Sequence, residues 1–88
     1  MEPKGMLLMD MYTVATESFY NKDYRKAYIY SNRIIARFES LNEILNDFGD
    51  DSNKEQMNDF IPFDKLKEVN VIKKTCTKII FGSVALWN

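Results

Sequence analysis

The chain has 88 residues, with twelve basic and thirteen acidic side chains, no histidine and one cysteine. This length suits one folding unit, because independently folding domains usually have about 100 to 150 residues. A formal charge of −1 supplies no overall field for nucleic acid or an anionic membrane. A Ser-His-Asp triad requires histidine, and one cysteine can neither form an internal disulfide nor complete a zinc site. We therefore expect a non-catalytic protein of the reducing cytoplasm that needs no cofactor or metal.

The first half of the sequence predicts an antiparallel helical hairpin. Apolar residues recur at spacings of three and four over residues 6–20, which predicts a first helix there. Residues 21–23 interrupt this pattern, and Asp23 is placed to cap the helix that follows. The spacing resumes without proline or glycine, which predicts a long second helix near residues 24–48.

The second half is less regular. Residues 49–59 are polar, acidic and aperiodic, which is typical of a loop. Over residues 69–87 two interpretations remain open, because the β-branched residues favour a strand whereas the apolar spacing favours a helix. The run lacks the strict alternation of a half-buried strand, so we predict a third helix near residues 63–81. The expected fold is an all-α, three-helix domain spanning residues 1–88, with a long second helix and a C-terminal helix.

Residues 12–35 resemble a single hairpin of the tetratricopeptide repeat. The stretch KDYRKAYIY is similar to that repeat's turn into its second helix, with Asp23 and Tyr24 followed by the small Ala27. The resemblance implies two antiparallel helices with Ala27 packed between them, as also seen in small uncharacterised archaeal helical proteins. The family's usual glycine at the turn is Lys22 in this chain, and its second-helix aromatic residue aligns with Ser31.

The chain has more large apolar residues than single inward-facing stripes can hold. A domain of this size also buries only about 60 to 65% of its unfolded surface, so self-association is expected to complete the core. We therefore predict a protein-interaction or adaptor module that acts as a homodimer. The apolar runs of the sequence are too short to form a membrane-spanning helix. The candidate interface residues are Tyr20, Ile29, Tyr30, Phe81 and Trp87.

Nucleic-acid binding is the alternative hypothesis. Lys26, Tyr30, Arg33 and Arg37 recur at spacings of three and four on the second helix, so their charges could follow phosphates while Tyr30 stacks on a base. The same helix carries acidic residues further on, which weakens this interpretation.

The C-terminal lysines suggest a third hypothesis, in which charge orients association. They could orient association by pairing with the acidic segment of the same or a neighbouring molecule. The lysines concerned are Lys65, Lys67, Lys73, Lys74 and Lys78.

Overall fold

Residues 6–47 and 53–85 are described by the computed structural model of the chain, which places four helices among them. The helices are α1 (Leu8–Tyr20), α2 (Tyr24–Asp47), α3 (Asn53–Phe60) and α4 (Phe63–Ala85). The long α2 packs against both α1 and α4, which also touch each other, and α3 contacts α2. The all-α fold with a long second helix is confirmed. The molecule is elongated, with principal extents of 48 × 27 × 24 Å.

The turn between α1 and α2 is closed by backbone hydrogen bonds. The Asp23 N–H donates to the Ser18 carbonyl at 2.8 Å, and the Lys22 N–H donates to the Phe19 carbonyl at 3.1 Å. This pair of bonds is the Schellman motif, which requires a left-handed residue after the helix end. Lys22 takes that role with φ of 66°. One Asp23 carboxylate oxygen then accepts from the Lys26 N–H at 3.3 Å, so the predicted cap of α2 is confirmed.

Replacing Lys22 by glycine should stabilise the hairpin, because a left-handed conformation strains a residue with a Cβ but not glycine. We expect Lys22→Gly to raise the free energy of unfolding by about 0.5 to 1 kcal/mol, measured by urea denaturation. Lys22→Ala serves as the control, since it removes the charge and keeps the strain. An equal gain in both variants would show that the lysine charge, and not the backbone, is responsible.

The core consists of two neighbouring clusters along the bundle. Buried residues of the first cluster come from α1, α2, α4 and the link between α3 and α4: Leu8, Met11, Ala15, Ile34, Ile61 and Val69. The second contains Ala27, Ile72 and Cys76 and is covered by the partly buried Phe19, Tyr24, Tyr28 and Ile80. Early α2 therefore packs on late α4, so these two helices are antiparallel. We call the end with the α1–α2 turn the hairpin end, and the opposite end the α3 end.

Ser31 lies within the buried face of α2 and is fully excluded from solvent. Its hydroxyl oxygen has no hydrogen-bond partner. A buried hydroxyl that gives up water without gaining a partner costs about 1 to 3 kcal/mol. Ser31 thus lowers the stability of the fold, although its small size fits the closely packed face between Ala27 and Ile34.

Removing this hydroxyl should stabilise the protein. We expect Ser31→Ala to raise the free energy of unfolding by about 1 kcal/mol beyond the gain from helix propensity alone. Ser40→Ala measures that propensity gain, because Ser40 is an exposed serine of the same helix. If thermal and urea unfolding show the same gain for both variants, the buried hydroxyl carries no penalty.

The expectation of a loop over residues 49–59 is wrong from Asn53 onward, because α3 occupies Asn53–Phe60. The described residues therefore form four helices instead of the predicted three. Met57 and Ile61 are both buried, and their spacing of four puts them on one side of the helical turn. Eight residues with one buried methionine give too short a pattern to be detected, and residues 49–52 lie outside the described part of the chain.

The segment over residues 69–87, for which the sequence allowed either a helix or a strand, is helical as far as Ala85. Val69, Ile72 and Cys76 recur at spacings of three and four and are buried against the other helices. Burial on one helical face therefore outweighs the strand preference of the β-branched residues. The helix continues through Gly82 and so extends beyond the predicted end near residue 81, and residues 86–88 lie outside the described chain.

Candidate interaction surfaces

The described residues offer little that is typical of a catalytic or metal centre. No group of three or more potential metal-ligating side chains occurs among them. Cys76 is fully buried in the second core cluster, and this burial raises the pKa of its thiol, which makes it a poor nucleophile. Over residues 6–47 and 53–85, no helix has the length and hydropathy needed to cross a bilayer.

An apolar groove opens at the α3 end, and its volume is about 340 Å³. The residues that line it come from the start of α1, the middle of α2 and the end of α3: Met6, Leu7, Leu8, Arg37, Ser40, Leu41 and Phe60. Leu7 is 66% exposed and Phe60 is 44% exposed. We call this surface the α3-end groove.

Local backbone structure explains why these two apolar side chains face solvent. Leu7 caps α1, and its carbonyl accepts from the Met11 N–H at 3.0 Å, so the next residue, Leu8, turns inward and is buried. Phe60 is the last residue of α3 and is followed by the buried Ile61. Burial of Leu8 therefore leaves Leu7 in solvent, and burial of Ile61 leaves Phe60 in solvent.

Arg37 fixes one wall of the α3-end groove. Its Nη1 donates to the Met6 carbonyl at 2.6 Å, which ties the segment before α1 to the middle of α2. A charged donor to a backbone carbonyl is stronger than a neutral hydrogen bond. This contact ties Met6, and with it the adjacent Leu7, to α2, and Leu7 and Leu41 both line the groove.

The predicted interface residues do not form one patch. Tyr20 is 74% exposed at the hairpin end, where its ring packs edge-on against Phe19 with a centroid distance of 6.0 Å. Phe81 is 48% exposed and packs edge-on against Tyr28 at 5.5 Å. The pairs Phe19–Tyr20 and Tyr28–Phe81 thus give the hairpin end an aromatic character.

The remaining predicted interface residues have different positions. Ile29 is 47% exposed on the outer side of α2. Tyr30 is half-buried against the first core cluster, and the Arg33 guanidinium carbon lies 5.3 Å from the centroid of its ring. Trp87 lies outside the described residues.

The predicted nucleic-acid residues share one helix but have other contacts. Lys26, Arg33 and Arg37 are exposed, in agreement with their spacing on α2. Arg33 is engaged with the Tyr30 ring, and Arg37 is engaged with the Met6 carbonyl. Tyr30 is therefore already covered on one ring face by a side chain of its own helix, which leaves less of it for a base.

Charge is separated along the bundle. Among the residues whose side chains are described, 39–47 and 56–68 carry six carboxylates and two lysines, whereas residues 22–37 carry five basic side chains and one acidic side chain. Late α4 adds Lys73, Lys74 and Lys78 near the hairpin end, where they line a shallow depression of about 360 Å³ with Asn70 and Thr77. Because α2 and α4 are antiparallel, the hairpin end is basic and the α3 end is acidic.

Sequence reasoning missed the α3-end groove. The run FIPF at residues 60–63 carried a signal, because three large apolar residues around a proline cannot all face one core. Only Ile61 of the three is buried, while Phe60 and Phe63 remain exposed. Leu7 gave a weaker signal, since it is one of two adjacent leucines and one helical face cannot hold both.

A polar contact joins α1 to α4 beside the first core cluster. The Tyr12 hydroxyl donates to Glu68 Oε2 at 2.5 Å, and the Lys65 Nζ lies 4.9 Å from the Tyr12 ring centroid. The hydrogen bond to Glu68, followed by burial and the negative charge of Glu68, raises the pKa of Tyr12 from 10.0 to about 12. The neutral phenol is therefore the form that stabilises the fold.

This contact predicts a loss of stability in alkali. The pKa of Tyr12 is higher in the folded protein than its value of 10.0 in the unfolded chain. The stability that this contact contributes is therefore fully present below pH 10 and is lost as the pH rises to about 12. Urea unfolding should therefore show that wild type exceeds Tyr12→Phe in stability by a margin that shrinks over this pH range. Glu68→Gln should lower the pKa of Tyr12, as followed by tyrosinate absorbance. A margin that is constant with pH would contradict the assignment.

Comparisons of the chain with protein-family models, with curated proteins and with solved structures found no match. The functional conclusion therefore depends on the surfaces described above.

Proposed function

We propose that this protein is a non-catalytic protein-interaction module of the cytoplasm, which binds an apolar segment of its partner in the α3-end groove. The observation that carries the proposal is the exposure of Leu7 and Phe60 around a formed groove, beside a core that is already closed. Aromatic and aliphatic side chains in a pocket are the usual anchors of protein interfaces. Burying one such side chain contributes about 1.5 to 3 kcal/mol.

The charges around the α3-end groove define the partner's chemistry. Asp10 follows Leu7 by three residues on α1, and Asp59 precedes Phe60 on α3, and both carboxylates are exposed. Arg37 is the cation among the described residues that line the groove, and it already donates to the Met6 carbonyl. The surroundings favour an apolar anchor flanked by lysine or arginine, and complementary charge of this kind chiefly speeds and orients encounter.

Nucleic-acid binding is supported less well than protein binding. Two of its four predicted residues, Arg33 and Arg37, make contacts within the chain, and Tyr30 is half-buried. The acidic half of α2 would also repel a phosphate backbone that continued along the helix.

Peptide display against the purified chain tests the proposal. We expect a library of random twelve-residue peptides to yield binders with one or two large apolar residues next to lysine or arginine. Their affinity should fall about tenfold or more for Leu7→Ser/Phe60→Ser, which corresponds to about 1.4 kcal/mol or more. Fluorescence anisotropy with synthetic copies of the selected peptides measures this loss.

Val71→Ser is the matched control, because Val71 is 61% exposed on α4 and does not line the groove. Peptide affinity should be unchanged in this variant. Selected peptides that bind the groove variant and the wild type equally would contradict the proposal. Salt-dependent binding of single-stranded RNA that is lost in Lys26→Glu would support the nucleic-acid alternative instead.

A further inference from the structure

The outer side of α2 carries a continuous exposed row of residues. They recur at spacings of four and three along more than five turns, and every one is exposed: Arg25, Ile29, Arg33, Ala36, Ser40, Glu43 and Asp47. Ile44 adjoins this row and is 52% exposed, while Ile29 within it is 47% exposed. We call the row together with Ile44 the outer α2 stripe. It meets the α3-end groove only at Ser40.

The charges of the outer α2 stripe are complementary to those of the same stripe in a second, antiparallel copy. Its first half carries Arg25 and Arg33, and its second half carries Glu43 and Asp47, with the small Ala36 between them. An antiparallel pairing that sets Ala36 opposite Ala36 of a second copy also sets Arg25 opposite Asp47. A parallel pairing would set arginine against arginine and aspartate against aspartate, so the charges favour one orientation.

The antiparallel register that sets Ala36 opposite Ala36 also brings apolar side chains of the two copies together. Ile29 of one copy then lies opposite the Glu43–Ile44 step of the other, and the two-fold symmetry repeats this contact at the far side. Ala36 and Ser40 are small, which lets the two helix axes approach closely near the symmetry axis. Exposed ion pairs are worth only about 0 to 1 kcal/mol each, so the isoleucines supply the attraction and the charges set the orientation.

We propose that the outer α2 stripe pairs with the same stripe of a second copy in antiparallel orientation, which makes the protein a homodimer. The proposal goes beyond the binding role of the α3-end groove and uses different residues. Its span also suits an interface, because the 22 steps from Arg25 to Asp47 cover about 33 Å of helix.

Complementary charge reversals test the pairing. Arg25→Glu places like charges opposite each other twice in its homodimer, and Asp47→Lys does the same with the opposite sign. We expect each variant alone to dimerise about tenfold more weakly than wild type or worse, measured by sedimentation equilibrium at low salt. An equimolar mixture of the two should recover dimer, because both contacts then join opposite charges. Lys74→Glu is the control of equal charge change and should leave dimerisation unchanged.

Cysteine cross-linking tests the register. Ala36→Cys should form an intermolecular disulfide under mild oxidation, because the symmetry axis brings the two substituted positions together. Glu17→Cys, at an exposed position of α1, should not. Cys76 is buried and common to both variants. A wild type that is monomeric at about 100 μM, a charge mixture that fails to recover dimer, or equal cross-linking at both positions would each overturn the proposal. The peptide measurements on the α3-end groove would stand regardless, since Leu7 and Phe60 lie outside the stripe.

Discussion

The rest of the structure depends on the close packing of one face of α2. Ala27, Ser31 and Ile34 are excluded from solvent, and the first two are small enough to let neighbouring helices approach the α2 backbone. This single face packs against both α1 and α4, which also touch each other. As a result, one side of α2 is fully committed to the core, while its opposite side remains in solvent along its whole length.

That asymmetry explains where binding surfaces can form. The core uses the inner faces of the helices, so the surplus apolar residues collect where the helices end or where no neighbour covers them. Leu7 and Phe60 lie at helix ends, and Ile29 and Ile44 lie on the uncovered side of α2. The antiparallel arrangement of α2 and α4 also gathers charge of one sign at each end of the bundle. An elongated molecule with charges separated in this way has a defined orientation towards any charged partner, including its own copy.

The sequence predicts the helices that are long and periodic better than the features that depend on distant contacts. α1 and α2 follow from their apolar spacing, and the turn between them follows from Asp23. α3 was missed because the helix is short, and among its residues 56–60 Met57 alone is buried. The bond between Tyr12 and Glu68 joins positions 56 residues apart, so no local pattern indicates it.

The candidate sites also divide into features that the local sequence pattern predicts and features that depend on distant contacts. The exposure of Tyr20, Ile29 and Phe81 agrees with an excess of apolar residues that was visible in the sequence. The α3-end groove was not visible, because it requires the start of α1 and the end of α3 to meet on α2. Arg37 illustrates the difficulty, since its position on a basic helix face gives no sign that it donates to the carbonyl of Met6.

The lone thiol at the junction of α2 and α4 gives the protein an internal reporter. Cys76 is sealed beneath Ala27 and Ile72 in the second core cluster, and a reagent in solution can reach its sulfur only when these helices separate. The rate of alkylation therefore records how often the closed bundle opens at this junction, without any introduced label.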